Sequence, residues 1–179
     1  MTSDLTMPGT CAELAGGITF VEREVNHPDA AHLLAAFYQE QFGRYGFAES
    51  VDLTPDDYAT PNGIFIVAYR HDLPVGCGGY RWYNDRTATV EIKKTYLVPA
   101  ARGRGIGHAL LARLERIAIE WGACHAILET GVRNKAALVL FTSTGYKPTA
   151  RYVPGRDPSI NRAFVKTLAG STRLHARSG

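Results

Sequence analysis

The sequence predicts an α/β (α+β) domain in which helices flank a mixed, mostly antiparallel sheet, and three observations carry that expectation. Strand-like runs at 63–70, 74–83 and 88–98 are separated only by the short turns "HDL" and "NDRT", the pattern of an antiparallel meander. A glycine-rich stretch, "RGRGIG" (102–107), then opens the clearest helical pattern in the chain. After that helix come a short apolar run, "HAILET" (125–130), and a second helical stretch.

Taken in order, "GITFVERE" (17–24) reads as the first strand and "DAAHLLAAFYQEQF" (29–42) as an amphipathic helix. In "DLTPDDYA" (52–59), Thr54 suits an N-cap, Pro55 the first helical position and Asp57 the third. The meander follows. In the next helix Ile106, Leu110, Leu114, Ile117 and Trp121 are spaced by four, four, three and four residues, which places them on one face, and Gly122 supplies the stop. A helix from Asn134 to Thr144 closes on Gly145, and "YKPTARYV" (146–153) and "NRAFVKTL" (161–168) read as the last strands. One domain is expected over residues 18–168, between an N-terminal extension (1–17) and a disordered, basic tail (169–179).

At 179 residues, with 45% hydrophobic and 21% charged residues, the composition is that of an ordinary soluble domain. The net charge is only +3, and Arg173 and Arg177 in the tail supply two of those charges, so no nucleic-acid partner is expected. Cys11, Cys77 and Cys124 are odd in number and form no CxxC pair, which fits a reducing, cytoplasmic location better than a disulfide framework or a thiolate metal site. The six histidines show no metal-ligand spacing. No signal peptide and no membrane span is expected.

The glycine loop is the chemical signal. A helix N-terminus presents unpaired N–H groups and about half a positive charge, so it binds anions. Glycines let the backbone approach a ligand closely, and Arg102 and Arg104 add positive charge at the same point. A diphosphate suits such a loop; the plainer alternative is a tight turn in which glycine serves packing. A dinucleotide fingerprint is disfavoured because His108 stands where its third glycine belongs, and because Glu91, Lys93 and Lys94 make the preceding strand too polar for a fully buried parallel one. A Walker loop fails for want of a following GK[ST].

Arg102, Gly105 and Gly107 match the Arg/Gln-x-x-Gly-x-Gly/Ala signature of the GCN5-related N-acetyltransferase (GNAT) family, which the chain resembles over roughly 18–168. "EIKKTYLVPAARGRGIGHALLARLE", "LETGVRNKAALVLFTSTGY" and the upstream "VGCGGYR" resemble family segments in the expected order. The resemblance implies a strongly twisted mixed sheet whose fourth and fifth strands splay apart around acetyl-coenzyme A, a cosubstrate used without a metal. It implies that the backbone of Thr95, Tyr96 and Leu97 pairs with the pantetheine arm, and that Arg102, Gly103, Arg104, Gly105, Ile106, Gly107 and His108 hold the pyrophosphate. Asn134 matches an asparagine that contacts the cofactor.

The same resemblance offers two general bases, which take the proton an acceptor ammonium must lose. Glu91, eleven residues before Arg102, stands where the histone-acetylating branch has its glutamate. Glu129, five residues before Asn134, matches the base of the ribosomal-protein-acetylating branch. For each the alternative is a strand carboxylate in an ion pair, with Lys93 the partner on the face of Glu91. Phe141 departs from the family pattern, which has at that position, seven residues after the asparagine, a tyrosine that protonates the leaving thiolate. Tyr146 or Tyr152 could substitute, or the thiolate could leave unaided; ordinary packing is the other reading of both tyrosines. Trp82 and Tyr83 could line an acceptor pocket, and Arg151, Arg156 and Arg162 could meet an acidic acceptor or form a solvated rim. The expected acceptor is a small-molecule amine, with a protein lysine or N-terminus as the alternative, a homodimer left open, and a non-catalytic acetyl-coenzyme A sensor as the rival of another class.

Overall fold

A computed structural model describes residues 17–48 and 53–168. The expectations for an extension up to residue 16 and for a tail from residue 169 lie outside these. In chain order the elements are β1 (Ile18–Glu22), α1 (Pro28–Tyr45), β2 (Gly63–Arg70), β3 (Leu73–Asn84), β4 (Thr89–Leu97), α2 (Ile106–Glu120), β5 (His125–Gly131), α3 (Lys135–Ser143), β6 (Lys147–Thr149) and β7 (Asn161–Thr167). The strands form one seven-stranded sheet in the order β1-β2-β3-β4-β5-β7-β6. Every neighbouring pair is antiparallel except β4 and β5, which run parallel.

The meander forms for the reason the sequence suggests. His71 and Asp72 close the β2–β3 turn with φ of 48° and 64°, the positive values that a tight hairpin turn needs at both centres. Strand β2 is buried along almost its whole length because the sheet is covered on both faces. Ile64, Ile66 and Ala68 point to a core with Leu110, Leu111 and Leu114 of α2, while Phe65, Val67 and Tyr69 point to a second core with Leu33, Leu34 and Tyr38 of α1. Leu33, Leu110 and Leu114 are fully buried, so truncating any of them to alanine costs about 2–5 kcal/mol.

Three expectations are corrected in extent. The helix start at Thr54 is a single 3-10 turn, Pro55–Tyr58, and the Thr54 side chain makes no capping bond. Only Lys147–Thr149 of the run 146–153 pairs as a strand, since Pro148 has no N–H and β6 lies at the sheet edge. Trp121 is the C-cap of α2 and stays partly exposed, its ring edge-on to Tyr80 at 6.5 Å.

Candidate active site

Strands β4 and β5 pair over three residues only: Thr89 with His125, Val90 with Ala126 and Glu91 with Ile127. Beyond that point β4 continues to Leu97 still paired with β3, and β5 to Gly131 still paired with β7, so their facing edges separate. The β3–β4 register shifts between Cys77 and Gly79, where Gly78 lies opposite two β4 residues, Lys94 and Thr95, and Lys94 has φ +57°. Such a bulge bends its strand. The gap is a cavity of about 480 Å³ bounded by β4 from Glu91 onward, by Leu128–Gly131 of β5, by the glycine loop and α3, and by Phe37, Glu40 and Tyr45 of α1.

One end of this cavity is made for an anion. Gly105 caps α2 with φ +77°, a left-handed conformation that favours glycine, and Gly103 has φ +72°. The first helical bond of α2 runs from Ala109 N to Gly105 O, so the amides of Ile106, Gly107 and His108 have no acceptor within the helix. Residues 103 and 105–108 line the cavity. These free amides, and the β4 edge beside them, fit a diphosphate joined to an extended arm.

The structure places four of the expected cofactor residues as follows, three of them (Arg102, His108 and Asn134) in the cavity lining. Arg102 is a strut: its Nε and Nη2 donate to the Leu97 carbonyl at 3.0 and 2.9 Å, and Nη2 also donates to Glu40 at 2.6 Å. The Leu97 carbonyl thereby has both lone pairs occupied, which leaves Thr95 and Tyr96 the freer backbone partners for an incoming arm. Arg104 is exposed and does not line the cavity. Asn134 lines it, but its Oδ1 caps α3 by accepting from Ala137 N at 3.3 Å. His108 is exposed, with Nε2 3.2 Å from Ser143 Oγ.

At the apex stands Glu91, only 2% exposed. It accepts from Arg81 Nε at 3.0 Å, Lys93 Nζ at 3.2 Å and the Tyr152 hydroxyl at 3.0 Å. Arg81 also donates to Asp57 at 2.9 Å, tying β3, β4 and the 3-10 turn together. Burial opposes the charge of Arg81, yet the Glu91 carboxylate beside it leaves the guanidinium pKa raised. Burial, and after it the Glu91 charge, pushes the Tyr152 phenol far above its ordinary value. Across the gap, Glu129 lines the cavity from β5 with Oε2 3.4 Å from Arg156 Nε.

The expected acids are placed differently. Phe141 lines the cavity, 5% exposed. Tyr146 lies behind it in the α2-side core, ring centroids 5.7 Å apart, and is not part of the cavity wall. Burial, and then the charge of Glu115, raises its pKa, which makes it a packed core phenol and a poor proton donor to the cavity. Trp82 and Tyr83 line a separate recess with Asp57, Arg81 and Asp85, and Tyr83 packs edge-on against Tyr152.

Sequence reasoning missed a clasp across the open end of the splay. The Tyr45 hydroxyl at the end of α1 accepts from Arg133 N at 3.0 Å, and Arg133 Nη1 donates to the Arg44 carbonyl at 2.7 Å. A Cβ at residue 131 would overlap the Tyr45 hydroxyl, so any larger residue there would displace that side chain from the clasp. That glycine in "LETGVRN" was the available signal, but its partner lies 86 residues away in the chain. The described residues contain no group of His, Cys, Asp and Glu that could hold a metal ion, and no helix among them is long and apolar enough to cross a membrane.

This fold is shared with solved structures described as N-acyltransferases and acetyltransferases. A Klebsiella pneumoniae protein assigned to the acyl-CoA N-acyltransferases superimposes with a TM-score of 0.72 at 26% identity, covering 84% of this chain and 97% of that one. A GNAT acetyltransferase from Elizabethkingia anophelis, solved with acetyl-CoA bound, has the same fold, with a TM-score of 0.63 at 19% identity and coverage of 85% and 99%. An IAA acetyltransferase of Azospirillum brasilense is 35% identical over 101 residues, which make up 56% of this chain and 65% of that relative. The match therefore spans just under two thirds of that relative's length. The sequence pattern of the acetyltransferase (GNAT) family matches residues 27–146, more than half of the chain. The protein belongs to the GNAT acetyltransferase family.

Proposed function

We propose that this protein is an acetyl-CoA-dependent N-acetyltransferase whose acceptor is a small-molecule primary amine, attacking directly within a ternary complex. The observation that carries this reading is the unpaired β4 edge, which has free helix amides at one end and two carboxylates toward the other. When bound there, acetyl-CoA supplies an activated acyl carbonyl and a thiolate leaving group.

The chain's own groups do the rest. Amides of Ile106, Gly107 and His108 bind the pyrophosphate, and the β4 backbone at Thr95 and Tyr96 orients the arm and donates to the developing oxyanion, which is often the largest catalytic contribution. Glu129 takes the ammonium proton. We assign it this role over Glu91 because Glu91 already accepts from Arg81, Lys93 and Tyr152, contacts that hold its carboxylate in the framework of the fold. Phe141 packs the wall without giving a proton. Thiols have pKa values near 8.5, so the thiolate leaves tolerably well and takes its proton from water.

The Tyr45–Arg133 clasp narrows access from the α1 side, which supports a small acceptor over a folded protein surface. The composition and the three cysteines fit a cytoplasmic enzyme. Coenzyme A release measured over a panel of small amines tests the reading. Turnover with at least one amine is the expected result. Mass gain only on co-incubated proteins would reassign the acceptor, and tight acetyl-CoA binding without any transfer would make the protein a sensor.

A further inference from the structure

The chain has five lysines, and all of them are described. Only Lys93 and Lys94 line the cavity. Lys94 is 8% exposed, and its ammonium lies over the rings of Phe37 and Tyr38, at 5.6 and 5.0 Å from their centroids. Lys93 differs. It follows Glu91 by two residues on the same face of β4, its side chain keeps 20% of its exposure, and Nζ lies 3.2 Å from Glu91 Oε1. A primary amine in the cavity that takes the thioester, in hydrogen-bond contact with a carboxylate, has the parts an acceptor needs.

We propose that Lys93 is an internal acceptor, acetylated on Nζ by the protein's own bound acetyl-CoA when no external amine competes. The inference rests on the acetyl-CoA reading above. Held in place by Glu91, Nζ loses one proton to solvent, and the freed lone pair attacks the thioester carbonyl carbon. The C–N bond forms as the C–S bond breaks, the second Nζ proton goes to the departing thiolate, and the products are acetyl-lysine, coenzyme A and one proton. The new amide removes one of the two cations on Glu91 and occupies cavity space, so self-acetylation slows transfer to external amines.

The test uses the full chain and acetyl-CoA carrying a deuterated acetyl group, with no amine added. Intact mass and peptide mapping should show a single label on Lys93. It should appear with first-order kinetics independent of protein concentration, be slowed by excess amine, and be absent in Lys93→Arg. Pre-incubated protein should lose several-fold of its initial rate toward an amine, while Lys93→Arg keeps its own starting rate. Label spread evenly over Lys135 and Lys147, or a rate that climbs with protein concentration, overturns the proposal. If calorimetry shows acetyl-CoA binding and amines are turned over while Lys93 stays unlabelled, only this proposal falls. If neither binding nor turnover is seen, the acetyl-CoA reading falls and takes this one with it. Should Lys93→Arg fail to fold, the map of the unaltered chain decides.

Discussion

The two strands that flank the splay each carry a glutamate toward the same cavity, and they treat it differently. On β4, Glu91 is buried under three hydrogen bonds from three elements. On β5, Glu129 meets Arg156 at 3.4 Å, at the edge of a long loop. Both line the cavity and are largely buried; what sets Glu91 apart is that its donors tie β3, β4 and the loop carrying Tyr152 together. A carboxylate that holds three pieces of the fold together is a post, which is why its neighbour across the gap is the one proposed as the base.

The strongest way to break this contrast is to exchange the two roles. Glu129→Gln should lower turnover by about 10²–10⁴-fold. Its melting temperature should stay close to the parent's. Glu91→Gln should instead lose about 2–3 kcal/mol of stability, because a charged, buried acceptor with three donors is replaced. Parallel pH–rate profiles and melts of both variants separate the roles; a stable Glu91→Gln with a lost basic limb would reverse the assignment. Gly105→Glu tests whether the cosubstrate lies between the strands at all. Its carboxylate stands at the free amides and its side chain at φ +77°, so acetyl-CoA affinity should fall about 100-fold, some 2.7 kcal/mol, by calorimetry.

Tyr152→Phe should sharpen the picture of Glu91 as a post. Because the folded-state pKa of Tyr152 lies above the unfolded value near 10, its contribution is fully present below pH 10 and is lost as pH rises beyond it. Tyr58, Tyr80 and Tyr146 are shifted in the same direction, chiefly by burial. Unfolding free energies should therefore fall above pH 10, and Tyr152→Phe should make that decline shallower by about 1.4 kcal/mol per pH unit. An unchanged slope would detach Tyr152 from the network. The smallest effect is expected for Phe141→Tyr, which places a hydroxyl on the cavity wall: a gain in turnover of about two- to fivefold, since the thiolate already leaves tolerably well.

How much of this could be read in the sequence follows from the range of the interactions. The meander, α2 and the glycine loop rest on local signals: turn residues between apolar runs, a four-four-three-four spacing, and glycines where φ must be positive. All of them were legible. The splay was not derivable from spacing, because it depends on where the β4–β5 ladder stops and on the strained Lys94 that no propensity announces; the family resemblance supplied it. The partners of the arginines were not legible. Arg102, expected at the cofactor, and Arg156, expected at an acceptor or on a solvated rim, each have an acidic partner far away in the chain, Glu40 and Glu129. Tyr152 and Glu91 stand 61 positions apart, and nothing in either neighbourhood pointed to the other.

The three-residue contact between β4 and β5 has a further consequence. Only those three pairs join the sheet's two antiparallel halves, β1 to β4 and β5-β7-β6, and the rungs beyond them are missing. An extended molecule lying against Thr95 and Tyr96 takes the place of an absent strand and supplies those rungs itself. On the proposed reading binding is also assembly: those β4 amides that face the gap rather than β3 should exchange more slowly once it is filled, and the fold's resistance to heat should climb with the concentration of what fills it.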